Sequence, residues 1–239
     1  MSRLPRCLGQ GMTFETALEI SSQRGWLARV APSFRDAVLA VSRVKYFDSG
    51  DYVYHVGDTS DGLWCLASGV LGIEVAAGEF HPELRMIRHT GTWYGETAII
   101  TGANRVVALR AMQRCTMLHL PKHKLEAILA SNPSYWQWIA LLAAEHSLLA
   151  MQVAEDLMMR DTRQRIAMIL LRLSGFVDAD GGQTSPIIAS QQEIGRICNI
   201  SRGVLNKVLK DFENSGLIRS TYCQIDLLAP EGLLQFASV

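Results

Sequence analysis

The chain has 239 residues, 23 Lys plus Arg against 23 Asp plus Glu, and 49% apolar residues. That length holds one large domain or two smaller ones with a sizeable core, and the apolar content excludes a disordered or collagen-like chain. A formal net charge of zero excludes a protein that coats nucleic acid through bulk charge, yet leaves room for a local basic surface.

The five cysteines, Cys7, Cys65, Cys115, Cys198 and Cys223, include no CxxC pair, which argues against a zinc ribbon, a thioredoxin-like site or a clustered iron–sulfur site. An odd count in so apolar a chain reads as reduced thiols of a cytoplasmic protein. Arg3 and Arg6 are followed by no continuous apolar run, so the N-terminus does not read as a signal peptide. The most apolar stretch, 136–151, is interrupted by Glu145 and His146 and falls short of the roughly 18–20 clean residues of a membrane span. A soluble protein without a membrane partner is expected.

Residues 1–12 have no periodic pattern and read as a loose arm. In 13–43, Phe14 and Leu18, then Leu27, Val30, Phe34, Val38 and Val41, recur at steps of three and four, predicting short helices separated near Gly25 and Pro32. From Val44 the texture becomes strand-like. Tyr46–Val56 alternates around a turn at Ser49-Gly50-Asp51, Gly57–Gly62 is a dense turn signal, and Leu63–Val75 is cut by Gly69 and Gly72. Further short apolar runs at Leu84–Ile87, Ala98–Thr101, Val106–Met112 and Met117–Leu120 complete the pattern of a β-roll, sandwich or barrel.

After Pro121 the period becomes helical. A short helix over Lys122–Ala130 ends before Asn132-Pro133, and a long pattern then runs to Leu173, with a break expected near Asp161-Thr162 and one of these as the new N-cap. Trp136, Ala143, Ala150 and Leu157 repeat every seven residues, as do Ile139, His146 and Val153. Two readings fit: a seam between two copies of the chain, or a helix buried in its own domain, since Leu141, Leu142, Leu148 and Leu149 make other faces apolar. The seam is the expectation adopted. Residues 178–187 read as a turn or hairpin tip.

The most specific segment is 189–218. Ile194, Ile197 and Cys198 give a short helix an apolar face, Asn199-Ile200 is a tight connection, and Ser201 caps a second helix with Val204, Leu205, Val208, Leu209 and Phe212 inside. That is a helix-turn-helix, and the pair Leu217-Ile218 and Ile225–Leu227 reads as its wing. Facing outward are Arg202, Gly203, Asn206 and Lys207. An arginine in the first turn suits bidentate contact with guanine, Asn206 suits adenine, and Lys207 suits a base or a phosphate. Gln192 and the amide end at Ser201 suit phosphate contacts. Between 188 and 222, five basic residues stand against three acidic ones. A helical hairpin with a merely solvated face explains neither Arg202 nor the wing.

Three motif groups resemble the bacterial Crp/Fnr family of transcription regulators over about 44–235. These are Phe47…Gly50-Asp51…Gly57-Asp58…Gly62-Leu63…Gly69, then Gly91…Gly95-Glu96-Thr97-Ala98…Asn104-Arg105-Val106, and the winged helix-turn-helix with Ser201-Arg202. The resemblance implies an α+β chain. A jelly-roll-like cyclic-nucleotide-binding roll with flanking helices would occupy 13–132, a dimerisation helix 133–160 and a winged helix-turn-helix domain 161–239. It further implies a cytoplasmic homodimer joined through 133–160, a pseudo-palindromic double-stranded DNA site, contact with RNA polymerase, and cAMP or cGMP as the class of effector.

Chemistry agrees that a cyclic phosphate needs a cation and backbone donors, which Arg105 and the Gly95–Thr97 turn offer, while Glu96 suits a ribose hydroxyl. The chain departs from the cyclic-AMP-responsive pattern at three points. Val106 stands where a hydroxyl usually holds the phosphate, and Ala150 and Met151 stand where hydroxyls usually meet adenine. Arg105 pairing with Glu96 in a ligand-free site is therefore the alternative, with an effector-independent regulator, or one sensing a non-nucleotide ligand, as the rival function. An iron–sulfur sensor would need several N-terminal cysteines where only Cys7 stands, and six scattered histidines give no haem motif. Gly203 replaces a glutamate that often reads cytosine, so the half-site should keep a guanine for Arg202 and differ beside it. No catalytic or metal-binding signature is present, and an enzyme is not expected.

Overall fold

The computed structural model describes residues 13–76, 82–177 and 184–237. The N-terminal arm and most of the 178–187 turn lie outside them. The chain opens with three short helices, α1 (Phe14–Gln23), α2 (Gly25–Ala28) and α3 (Pro32–Val41). Thr13 caps the first, and Pro32 begins the third at the position where a missing N–H costs nothing.

Eight strands follow: β1 (Arg43–Phe47), β2 (Tyr52–Tyr54), β3 (Gly62–Ser68), β4 (Leu71–Val75), β5 (Glu83–Arg88), β6 (Trp93–Tyr94), β7 (Val107–Ala111) and β8 (Cys115–Pro121). They pair antiparallel as two four-stranded sheets, β1-β8-β3-β6 and β2-β7-β4-β5. Leu66, Leu71, Leu109 and Met117 pack between the sheets, while Trp26, Phe34, Leu63 and Trp93 join the outer face of the first sheet to the N-terminal helices. The run Ala98–Thr101, expected as a strand, is instead part of α4 (Glu96–Thr101). Gly95 and Gly102, both left-handed, bracket it, and six residues between two such punctuations close a helical turn rather than reach a sheet edge. Gly72 does not cut its strand either: it pairs with Ile87 and Arg110 within β4.

Helix α5 (Lys122–Ser131) leads through a 3-10 turn at Pro133–Tyr135 into α6 (Trp136–Met158), about 35 Å long at 1.5 Å per residue. Asp161 caps α7 (Thr162–Leu173) by accepting from the Arg163 and Gln164 amides at 2.9 Å. Next come β9 (Ile187–Ile188), α8 (Gln191–Ile197), α9 (Arg202–Asn214), β10 (Ile218–Thr221), β11 (Gln224–Leu227) and α10 (Pro230–Ala237). The last three strands form one small sheet in the order β10-β11-β9, so the wing has a third strand that the sequence pattern did not supply.

Two clasps set the angle of this C-terminal head. Asp156 near the end of α6 and Arg172 of α7, both buried, form a bidentate ion pair at 2.5 and 3.2 Å, with Gln152 accepting a third guanidinium bond at 3.2 Å. On the roll, Arg110 bridges Glu74 at 2.5 Å and Glu193 of α8 at 3.1 Å. Glu193 also completes a capping box with Ser190, so one carboxylate both starts α8 and ties the head to the roll. Leu84 and Ile87 of β5 belong to the same apolar core as Ile194, Leu205 and Phe212, which makes the contact a packed interface as well as an ionic one.

Three of the cysteines, Cys65, Cys115 and Cys198, are buried, and burial pushes their thiols up to about 12, 11 and 12. Thiols held neutral and out of contact with solvent are poor nucleophiles.

Candidate functional site

The surface expected to face DNA is built by caps and a one-sided helix. Ser190 starts α8. Asn199, at φ 53°, turns the chain left-handed between the two helices, and Ser201 accepts from the Val204 amide at 3.4 Å to start α9. Asparagine tolerates that turn because its short polar side chain suits the left-handed region. On α9, Leu205, Val208, Leu209 and Phe212 are buried, whereas Arg202, Gly203 and Lys207 are exposed. Asn206 is half-buried, and its Oδ1, itself buried, has no hydrogen-bond partner. A Cβ at Gly203 would meet nothing within 4 Å, so the residue leaves the helix surface bare rather than relieving a clash. Gln192 is exposed on α8 and Ser201 lies at the amide end of α9. All six expected DNA-reading residues thus belong to this helix pair, five of them exposed.

In the roll, the expected effector residues divide. Gly95 begins α4 at φ 113°, where a Cβ would lie 2.4 Å from Arg105 Nη1 and 2.7 Å from the Gly62 carbonyl oxygen; only glycine fits. Arg105 is 3% exposed. Its Nη2 donates to Asp61 Oδ1 and to the Gly62 carbonyl oxygen, each at 2.7 Å, its Nη1 reaches the Gly95 carbonyl at 3.4 Å, and its carbon lies 4.1 Å above the Tyr54 ring. Glu96, 4% exposed, accepts from His146 Nδ1 of α6 at 2.8 Å, from Thr97 Oγ1 at 3.2 Å and from the Gly95 amide at 3.1 Å. The His146 ring stacks on Tyr94 at 4.9 Å. The expected alternative pairing of Arg105 with Glu96 is therefore corrected. Asp61 and His146 each supply the counter-group instead, and neither had been read as such, because their partners lie 44 and 50 positions away.

Val106, Ala150 and Met151 are exposed, and their apolar side chains offer this cluster no hydrogen bond. Four of the seven expected effector residues, Gly95, Glu96, Thr97 and Arg105, are joined by hydrogen bonds, and the other three take no part in that network.

Burial pushes the Glu96 carboxyl up, but the His146 bond and charge, with the Gly95 and Thr97 bonds, outweigh it and hold it below its ordinary value. Burial likewise pushes Asp61 up, and the Trp64 and Arg105 bonds more than reverse it. A carboxyl lowered in the folded state contributes stability that is present above its unfolded pKa, about 4.3 for Glu, and disappears as pH falls through the folded value. Glu96→Gln is therefore expected to cost on the order of 1 kcal/mol at pH 6. The gap between variant and parent in thermal melts should close towards pH 3, and a gap constant over that interval would contradict the charged pairing.

A roll carrying a phosphate-type cassette, joined by a long helix to a winged helix-turn-helix head, defines a class of DNA-binding transcription regulators with a sensor-like domain. Residues 44–132 match the cyclic nucleotide-binding domain family and residues 164–236 the Crp-like helix-turn-helix domain family. The chain is 26% identical over 221 residues to the HTH-type transcriptional regulator Cmr of Mycobacterium tuberculosis, covering 88% of this chain and 86% of that one. It is 25% identical over 203 residues to the CRP-like cAMP-activated global transcriptional regulator of the same species, covering 84% and 91%. In fold it is similar to a CRP/FNR-family transcriptional regulator from Thermus thermophilus, with a TM-score of 0.63 and 22% identity, over 82% of this chain and 99% of that one. The chain belongs to the Crp/Fnr family of transcription regulators, and it resembles regulators rather than enzymes. Among the described residues, no helix is long and apolar enough to cross a membrane.

Proposed function

We propose that two copies of the chain, joined along α6, bind a pseudo-palindromic DNA site in the cytoplasm and engage RNA polymerase there, with a roll that answers to something other than a cyclic nucleotide. The observation that carries the DNA reading is α9, whose buried side is fixed in the head while Arg202 and Lys207 point outward from its first two turns. Dimerisation is supported by α6. Leu148, Met151 and Met158 are 60%, 67% and 81% exposed and, with Ala144, recur at steps of four, three and seven along one stripe. That spacing is a coiled-coil seam. Neither heptad row read from the sequence lies on it: Ala143, Ala150 and Leu157 each precede one of its residues by one position, and in the other row Ile139 is buried against the roll and His146 is held by Glu96.

The roll's proposed independence of cyclic nucleotides rests on the pairing of Arg105 with Asp61 and of Glu96 with His146. The cAMP-activated relative favours the opposite reading, and the nucleotide titration argued in the Discussion decides between them.

Selection of binding sites from random DNA, followed by retardation assays, tests the DNA reading. Two half-sites are expected about one helical turn apart, each with a guanine opposite Arg202. Arg202→Ala should lose about 1–3 kcal/mol of discrimination at that base and leave the neighbouring positions unchanged. Leu148→Glu should convert the dimer to monomer in sedimentation and weaken DNA binding with it. Undiminished discrimination in Arg202→Ala, or a monomeric parent protein, would contradict the proposal.

A further inference from the structure

Where α6 passes from the roll to the head, the molecule holds a cleft of about 830 Å³. Three units wall it: the α1–α2 junction, the β5–β6 turn of the roll, and the inner side of α6 together with residues flanking the head, such as Ser174 and Pro186. The first two are pressed together by bare backbone. Gly25 has φ 62° and Gly91 φ 97°, and a Cβ on Gly25 would lie 2.1 Å from the Gly91 carbonyl oxygen.

The lining combines charge with apolar surface. Arg24, Arg29 and Arg88 line it together with one carboxylate, Glu145, and Arg29 is bonded to that carboxylate at 2.8 Å. Arg24 is exposed and has no ion-pair partner among the described residues. Trp26, Trp93, Leu142 and Leu149 supply apolar wall, and the buried indole N–H of Trp93 has no acceptor. A buried indole N–H ordinarily finds a partner, so Trp93 brings an unmatched donor to the wall beside the exposed guanidinium of Arg24.

We propose that this cleft binds a small organic anion, an oxyanion on an apolar body, and that its occupancy biases the orientation of the DNA-binding head. The volume lies in the range of metabolite-sized pockets, about 300–1,000 Å³. Guanidinium groups pair bidentately with carboxylate or phosphate oxygens, and the Trp and Leu wall takes the rest of the molecule. A ligand touching roll, helix and head together binds one arrangement of the three better than another, which is what couples it to DNA affinity. Arg105 and Asp61 do not line the cleft, so it is distinct from the roll cassette, and His146 is the one residue of the paired cassette that both share. The proposal rests on the reading of the chain as a DNA-binding regulator.

Two fluorescent probes separate the chemistry: 8-anilinonaphthalene-1-sulfonate carries an anion on an aromatic body, and N-phenyl-1-naphthylamine is the same body without it. The full chain should bind one sulfonate probe per protomer, with energy transfer from tryptophan, and bind the neutral probe roughly tenfold more weakly. Arg24→Glu should erase that preference, Arg24→Gln should reduce it, and Thr90→Phe, which fills the cleft from the β5–β6 turn, should abolish saturable binding of both. Saturating sulfonate probe should shift affinity for the selected DNA about fivefold or more. Equal affinity for the two probes, non-saturating binding, or a preference untouched by Arg24→Glu would overturn the site. An unmoved DNA affinity would overturn the coupling. A parent protein that retards no DNA overturns instead the regulator reading beneath it, so the failures are distinguishable.

Discussion

Replacing Asp156 by alanine is expected to destabilise the protein by about 3–5 kcal/mol, seen as a lower urea midpoint. The carboxylate and the Arg172 guanidinium are both buried, and their two bonds, with that of Gln152, link α6 to α7. Removing the acid leaves a guanidinium in the interior with only Gln152 at 3.2 Å and its remaining donors unsatisfied. The cost arises from stranding that charge, not from the strength of the pair. Taking both charges out of water is itself expensive, so the double replacement Asp156→Leu with Arg172→Leu should recover most of the loss. Recovery of stability without recovery of DNA affinity would assign the pair its role: a bidentate fork fixes the angle between two helices, which a leucine contact does not. A single-variant loss below about 1 kcal/mol would mean that the interior tolerates the lone arginine, and the pair would not be the hinge clasp described above.

The head is held at two places with different physics. At the hinge the bond is ionic and buried. Against β5 it is largely apolar, through Leu84, Ile87 and Ile194, with Arg110 and Glu193 half-exposed at its edge. Exposed ion pairs contribute little in water, so the edge pair sets register more than stability. A head released from the roll would still be tied to α6 by the hinge. The head therefore meets the rest of the chain at two places, along α6 and across β5.

Local rules made the head legible from sequence. Asn199, Ser201 and the inner row of α9 sit within a few positions of the atoms they satisfy, so that turn, cap and buried face could be read directly; the equally local capping box of Ser190 and Glu193 was not read. The strand pattern of the roll was legible for the same reason, up to Ala98–Thr101, where the residues alone do not separate a buried helical turn from a strand and the flanking left-handed glycines decide. What was hidden is long-range. Asp61 reaches Arg105 across 44 positions, Glu96 reaches His146 across 50, and Arg110 reaches Glu193 across 83. No periodicity encodes such partners. A heptad pattern on α6 was visible, but neither row read from it is the stripe left exposed, because only packing against the roll shows which side of the helix stays uncovered.

Cyclic AMP and cyclic GMP are expected to give no saturable heat with the purified protein at concentrations where a site with the full set of contacts would be occupied. The phosphate would have to take Arg105 from Asp61, whose carboxyl is held below its ordinary value and is ionised at neutral pH. The ribose would have to take Glu96 from His146. Each exchange trades one charge-assisted bond for another and leaves a displaced partner to be rehydrated, so neither provides net driving force. The hydroxyl contacts that Val106, Ala150 and Met151 do not offer are missing in addition. At about 0.5–1.5 kcal/mol each, the three together amount to roughly 3 kcal/mol, or a hundredfold in affinity. Asp61→Asn with His146→Ala should release both groups and raise affinity for the nucleotide relative to the parent, while Arg105→Ala should leave the parent's null result unchanged. Micromolar binding by the parent protein that Arg105→Ala abolishes would show that the cassette opens to its ligand despite these pairings, and the regulator would then be cyclic-nucleotide-responsive.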